Sequence, residues 1–167
     1  MDRRHAKAEL LKVLPGIGDL LRALPLESSM PELHPKSPQD GRANAAAREF
    51  LATEPAASRP EIQAGVWLYL DALHVSHSIS QGIHGPTGAA WHAIMHRREG
   101  DFWNSKYWWR QCLNHPFLTL LERFDPFAFV DQVEAAGSDG LEALVEIQRD
   151  EWLALMLWCA RQAVDRR

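Results

Sequence analysis

The chain has 167 residues and a mass of 18.9 kDa, which suits a single domain. Hydrophobic residues make up 46% of the chain and charged residues 24%, so a wholly disordered protein is excluded. The net charge of −4 provides no basic field, so we expect no nucleic-acid partner. The chain also has no apolar run long enough for a membrane span or a signal peptide, so we expect no membrane partner. With two cysteines, Cys112 and Cys159, it cannot hold a disulfide framework, and we expect a cytoplasmic location.

The first third of the chain predicts two helical regions separated by a proline-rich segment. A helix is expected at about residues 2–13, broken at Pro15-Gly16, with an apolar pattern that continues through Leu24. Residues 25–41 hold four prolines without a helical period, which predicts an extended segment that wraps the domain or acts as a lid. A further helix is expected at about residues 42–53.

The central stretch, residues 60–116, predicts three helices in succession. After Pro60, a single apolar stripe at helical spacing predicts one continuous helix, formed by Ala64, Leu68, Ala72, Val75 and Ile79. Glycines then mark a turn, and Thr87 is the expected N-cap of a second helix that stops at Gly100. Asp101 is the expected N-cap of a third helix that runs through Cys112.

The last third also reads as helical. A short helix is expected from His115-Pro116 to about Phe124, and Asp125-Pro126 predicts the start of another. The last helix, after Ser138, has apolar residues on more than one face, which favours either central packing or a homodimer interface. Because no stretch alternates with period two, we predict an all-α fold: a single domain, residues 1–167, of antiparallel helix hairpins.

Part of the central stretch resembles a tetratricopeptide-repeat hairpin. The segment from Gly100 to Pro116 has that repeat's turn and its small and aromatic positions, at Asp101, Phe102, Ser105, Trp109 and Cys112. A spacing of 33 residues places Ala72, Ser76 and Ile79 over Ser105, Trp109 and Cys112. A repeat array needs about three units, so the resemblance implies helix hairpins only.

Histidines are concentrated in the central stretch, and one of them predicts acid–base chemistry. On a continuous helix, Asp71 and His74 lie on one flank, where a carboxylate can orient an imidazole as a general base. Arg98 on the next helix lies among large apolar residues and needs a partner, which we expect to be Asp71 or Asp101. The catalytic candidates are therefore Asp71, His74 and Arg98, and the alternative is a structural network that fixes the hairpin.

A second pattern, on the following helix, favours a divalent metal ion. His92, His96 and Glu99 share one face at positions i, i+4 and i+7, which is how helical metal sites begin. The alternative is that histidines fall at this spacing by chance in a His-rich chain.

The third helix carries aromatic residues on both of its sides. Trp103 and Tyr107 favour either the wall of a ligand cavity or core packing. With His92 and Arg110, which adds a cation, they are the candidate ligand-binding residues.

The central stretch as a whole resembles a family of small helical proteins that lacks an assigned activity. The resemblance covers residues 71–116 and is carried by the string WHAIMHRREGDFWNSKYWWRQCLNHP, preceded by DALHVSHSISQ. Its matching positions are Asp71, His74, Ser80, Gln81, Trp91, His92, His96, Arg97, Arg98, Glu99, Asp101, Asn104, Tyr107, Trp108, Arg110, His115 and Pro116. The resemblance implies that this hairpin is the signature of the family, and it implies no reaction.

Two functions of different classes follow from these residues. The first is a helical protein whose His-, Arg-, Asp- and Trp-rich pocket binds a polar or anionic small molecule, with hydrolysis as the reaction if it is an enzyme. The second is an interaction module of helix hairpins without catalysis. Bound metal at His92, His96 and Glu99 would turn the first into metal-assisted hydrolysis.

Overall fold

The computed structural model describes residues 1–39, 41–136 and 141–165. Within these residues the chain forms nine α-helices joined by turns and short 3-10 segments. They are α1 (Arg3–Val13), α2 (Gly18–Ala23), α3 (Arg42–Leu51), α4 (Pro60–Tyr69), α5 (Leu73–Ser80), α6 (Pro86–Glu99), α7 (Phe102–Trp109), α8 (Pro126–Glu134) and α9 (Leu141–Asp165). The predicted all-α class is confirmed, and the described residues contain no strand.

Local capping signals account for several of these boundaries. The side chains of Asp2, Asp101 and Asp125 accept hydrogen bonds from backbone N–H groups in the first turns of α1, α7 and α8. Gly100 ends α6 in the left-handed conformation, as its position predicts. The predicted start of α9 after Ser138 lies outside the described residues.

The expected continuous helix after Pro60 is wrong, because the chain breaks between α4 and α5. Asp71 has a positive φ of 58° there, a conformation that aspartate tolerates better than most residues. The apolar stripe continues across the break, so periodicity alone hides it. Because the helical register is lost at Asp71, the expected alignment of Asp71 with His74 on one flank is also wrong.

Three other predicted boundaries need smaller corrections. Thr87 is not the N-cap of α6, because Gly85 takes that place and Pro86 is the first helical residue. Helix α7 ends at Trp109, before the predicted Cys112. The helix predicted from His115-Pro116 to Phe124 is a 3-10 segment, Pro116–Leu120.

Helix α9 forms the centre of the core. Its residues 152–157 are buried, and Trp152 donates from Nε1 to the backbone carbonyl of Gly65 on α4 at 2.8 Å. The surplus apolar surface that the sequence shows on this helix is therefore covered within the chain.

The proline-rich segment crosses the domain and is attached to it by side chains from several helices. Tyr69 donates to the carbonyl of Leu24, just before the segment, at 2.6 Å, and Arg149 donates to the carbonyl of Ser29, within it, at 2.8 Å. Gln148 contacts the carbonyls of Met30 and Glu32 at 3.2 Å each. The described part of the segment, residues 25–39, thus lies along the domain, as one of the two interpretations predicts, but it is not extended throughout, because Leu26–Ser28 form a 3-10 turn.

Membrane-spanning character is not found in the described helices: each of them is too short or too polar to cross a bilayer.

Candidate functional site

Asp71 and Arg98 form an ion pair in the interior. Arg98 Nη2 lies 2.6 Å from Asp71 Oδ1, and the two side chains are 0% and 2% exposed. Arg98 also donates to the carbonyls of Leu68 and Glu32, at 2.9 and 3.1 Å. The second oxygen of Asp71 accepts from the side chain of Gln39 at 2.9 Å. This pair joins the end of α4, α6 and the proline-rich segment, which is the geometry of a structural network.

The neighbouring arginine has a carboxylate partner of its own. Arg97 makes a bidentate pair with Glu151 of α9, at 2.9 and 2.6 Å, and its guanidinium lies 4.3 Å from the centre of the Phe129 ring. Both side chains of the pair are almost completely buried. The pair connects α6 to the central helix and leaves Arg97 no open face for a ligand.

The three catalytic candidates are therefore not brought together. Asp71 is bonded to Arg98 and Gln39, whereas His74 is exposed on α5. Among the described residues no hydrogen bond joins Asp71 to His74, so this carboxylate does not orient that imidazole. The arrangement supports the structural interpretation of Asp71 and Arg98.

Three other histidines do come together, on α5 and α6. The ring centre of His77 lies 5.1 Å from those of His92 and His96, and the latter two are 5.9 Å apart. His92 and His96 are buried, and His92 stacks on Trp108 of α7 with ring centres 4.4 Å apart. We call His77, His92 and His96 the imidazole cluster.

Burial keeps the two inner rings of the imidazole cluster neutral. The pKa of His92 falls from its ordinary value of 6.5 to about 4, mainly through desolvation, with smaller contributions from the neighbouring rings and an opposing one from the hydrogen bond to Gly88. Desolvation also lowers the pKa of His96, although Glu99 opposes this effect. The rings of His92 and His96 therefore carry a lone pair rather than a positive charge at neutral pH.

Glu99, the third member of the expected metal-binding set, lies beside His96. Its Oε2 is 3.4 Å from Nδ1 of His96, and Asp101 Oδ2 is 3.9 Å from the same nitrogen. As the side chains stand, no three His, Cys, Asp or Glu residues in the described part of the chain are arranged to hold a metal ion.

Trp103 and Tyr107 lie on the outer face of α7, away from the core. They are 72% and 43% exposed, and their rings are nearly parallel with centres 6.1 Å apart. Arg110 is exposed near them, over the ring of Phe127. These three candidate ligand-binding residues thus form a surface ridge, not the wall of an enclosed pocket.

A separate cavity of about 340 Å³ lies where four segments of the chain meet. We call it the Thr87 cavity; it is lined by the starts of α4 and α6, by His115-Pro116 and by the last turns of α9. Its wall combines apolar and polar side chains: Arg59, Glu61, His84, Pro86, Thr87, His115, Pro116, Trp158, Cys159, Gln162 and Ala163.

The buried His115 orients the Thr87 hydroxyl in this cavity. The backbone N–H of Phe117 donates to His115 Nδ1 at 3.2 Å, so that nitrogen carries a lone pair. Burial lowers the pKa of His115 from 6.5 to about 4, so the ring is neutral and its proton is on Nε2. Nε2 lies 3.0 Å from Thr87 Oγ1 and donates to it. The hydroxyl proton of Thr87 is left to donate to another acceptor.

Two opposite charges lie at the start of α4. Within the described residues, neither Arg59 nor Glu61 takes part in an ion pair, although both line the cavity. Cys159 also lines the cavity, and burial raises the pKa of its thiol, so it is not a nucleophile at neutral pH. Sequence reasoning missed this site, because its residues come from distant segments; the His115-Pro116 pair in the signature was the one available signal.

Comparison with known proteins adds no relative: no family model, curated protein or solved structure matches the chain.

Proposed function

We propose that the chain is a small-molecule-binding protein and that the Thr87 cavity is its binding site. Its volume of about 340 Å³ falls in the range of small-ligand sites, which are typically about 300–1,000 Å³. Such sites combine apolar walls with a few placed polar groups. Trp158 and Pro116 supply the walls here, and Thr87, Arg59 and Glu61 supply the polar groups.

The observation that carries the proposal is the hydrogen-bond chain from Phe117 through His115 to Thr87. In this hydrogen-bond chain the Thr87 oxygen accepts from His115, which leaves the hydroxyl proton of Thr87 to donate to a ligand. A ligand therefore presents an acceptor to Thr87. Arg59 favours a carboxylate or phosphate as that acceptor, and Glu61 favours an amine elsewhere on the same molecule.

The hydrogen bonds from Phe117 through His115 to Thr87 also favour binding over hydrolysis. Nucleophilic catalysis by threonine needs a base that takes the hydroxyl proton. His115 Nε2 carries a proton and donates to Thr87, so it does not act as that base. The Cys159 thiol is protonated at neutral pH, so it does not supply a nucleophile either.

The test is a screen of small amino acids, carboxylates and phosphates against the ¹⁵N-labelled protein, followed by NMR. Hits are expected to shift the backbone signals of residues 86–88, 115–117 and 158–163. Thr87→Val, which removes the hydroxyl, is expected to weaken a hit about 3–10-fold, the value of one hydrogen bond. Thr119→Val is the matched control, because that hydroxyl is exposed and bonds to the carbonyl of Pro116.

Two results would overturn the proposal. One is the absence of any hit that shifts the cavity signals, and the other is equal binding by wild type and Thr87→Val. Hits that shift residues 103–110 instead would favour the second function, an interaction module. The exposed Trp103–Tyr107 pair is the feature that supports that alternative.

A cytoplasmic location is part of the proposal. Both cysteines are free and buried, which suits a compartment that keeps thiols reduced.

A further inference from the structure

The outer face of α7 carries aromatic side chains that the described part of the chain leaves uncovered. Trp103, Tyr107 and Arg110 lie at positions i, i+4 and i+7, so they share one stripe of the helix. Trp103 is 72% exposed and Tyr107 43%, and the centres of their nearly parallel rings are 6.1 Å apart. We call these three residues the α7 ridge. Tryptophan and tyrosine are enriched at protein interfaces, because their rings bury a large area while one polar group stays accessible.

The chemistry of the α7 ridge favours a protein partner. Tryptophan, tyrosine and arginine are the residue types that most often dominate the binding energy of protein interfaces. Small-molecule sites are concave, whereas this ridge projects from the surface. Single-stranded nucleic acid also stacks on exposed aromatic rings, but it needs a positively charged groove, and a chain of net charge −4 provides no basic field.

Helix α8 borders the ridge along one side. The ring of Phe127, in the first turn of α8, has its centre 5.8 Å from the guanidinium carbon of Arg110, at the end of α7. Asp131 and Glu134, later in α8, lie 2.5 and 3.3 Å from the Nζ atom of Lys106, nearer the start of α7. Helix α8 therefore runs antiparallel to α7, and its two carboxylates border the first half of α7.

The two ends of the α7 ridge carry opposite charges. In the described ion pairs, Asp131 and Glu134 share one cation, Lys106, which leaves one negative charge over, and both carboxylates are more than half exposed. At the other end Arg110 is exposed, and among the described residues it takes part in no ion pair. The ridge is thus negative at its start and positive at its end.

We propose that the α7 ridge binds a second copy of this chain in an antiparallel, two-fold symmetric dimer. A ridge with opposite charges at its ends is complementary to itself when the second copy is turned end to end, so Arg110 of each copy faces Glu134 of the other. Trp103 and Tyr107 lie two residues to either side of Ser105. A two-fold axis at the level of Ser105 therefore sets each Trp103 against Tyr107 of the other copy.

This interface is small and is separate from the Thr87 cavity, with which it shares no residue. Each copy contributes two exposed aromatic side chains and the charges beside them, which is less than a standard interface buries, so we expect a transient dimer. Ligand binding in the cavity and dimerisation at the ridge can each fail without the other.

The experiment is sedimentation velocity of the full chain at concentrations up to about 1 mM, because transient complexes dissociate below that range. The wild type is expected to change from monomer to dimer as its concentration rises. Trp103→Ala should weaken the dimer at least about 10-fold, the effect of truncating a dominant interface residue. Arg4→Glu is the matched control for a change of charge, because Arg4 is exposed on α1, and the dimer should persist.

Two charge reversals test the antiparallel pairing. Arg110→Glu alone places a carboxylate opposite Glu134 of the other copy, and Glu134→Arg alone places a guanidinium opposite Arg110, so each variant should be monomeric. An equimolar mixture of the two variants should form heterodimers, since both contacts then join opposite charges. Trp103, Arg110 and Glu134 are exposed, so all variants should keep the native circular dichroism.

Three results would contradict the dimer. They are a wild type that stays monomeric at every concentration, a dimer that Trp103→Ala leaves unchanged, and a mixture that is no more dimeric than either charge-reversal variant alone.

Discussion

Replacing Asp71 with asparagine tests the network that joins α4, α6 and the proline-rich segment. The substitution keeps the shape of the side chain but removes the charge that faces Arg98 at 2.6 Å. The guanidinium remains buried with two carbonyl acceptors and no counter-charge among its hydrogen-bond partners. Removal of one partner of a buried pair costs about 3–5 kcal/mol, so we expect a loss of that size in the free energy of unfolding.

The assay is equilibrium unfolding in urea at pH 7, followed by circular dichroism. With slopes of about 1–3 kcal/mol per molar urea, the midpoint should fall by more than 1 M. Asp19→Asn is the matched control: its ion pair with Arg22 is exposed, so its loss should be less than about 1 kcal/mol. Asp71→Asn combined with Arg98→Met should be less harmful than Asp71→Asn alone, because no buried charge is then left unpaired and asparagine also tolerates the positive φ at position 71. A loss for Asp71→Asn that equals the control would refute the reasoning.

Three further predictions follow from packing, burial and the second ion pair. Gly65→Ala should destabilise the protein by about 1–3 kcal/mol in urea, because an added Cβ would lie 2.6 Å from Met156 and 2.7 Å from Trp91, whereas Gly82→Ala should cost far less. The free energy of unfolding should fall as pH is lowered from about 6.5 to about 4, because the unfolded chain binds protons that buried His92 and His115 do not. His115→Gln should reduce the slope of this fall. An unchanged slope in His115→Gln would contradict the lowered pKa of His115. Glu151→Gln should lower the thermal midpoint by several degrees, since it leaves Arg97 buried without its counter-charge, while Glu122→Gln, at an exposed site, should not.

Sequence reasoning predicted the features that depend on neighbouring residues. The stop at Gly100, the cap at Asp101 and the helix start at Asp125-Pro126 each depend on one or two adjacent residues, so the sequence predicts them directly. Asp71 was one of the two expected partners of Arg98, and that pair forms, but the helix break at Asp71 was missed because the apolar spacing continues through it.

For the candidate sites too, the sequence predicts what lies on one helix but not what depends on contacts between helices. The i, i+4 pair of His92 and His96 can be read from one helix, but the approach of His77 depends on how α5 packs against α6. The Thr87 cavity depends on four separate segments, so no motif could predict it.

The attachment of the proline-rich segment has a consequence for how the molecule opens. Its carbonyls accept from Arg98, Gln148 and Arg149, all of them buried, so lifting the segment would remove at least one hydrogen-bond acceptor from each of these side chains inside the protein. Although the segment contains no α-helix and only one 3-10 turn, at Leu26–Ser28, we expect it to unfold in the same cooperative unit as α9. Proteases should therefore cut residues 26–33 only through global unfolding, at a rate that follows the stability of the whole domain rather than the mobility of a loop.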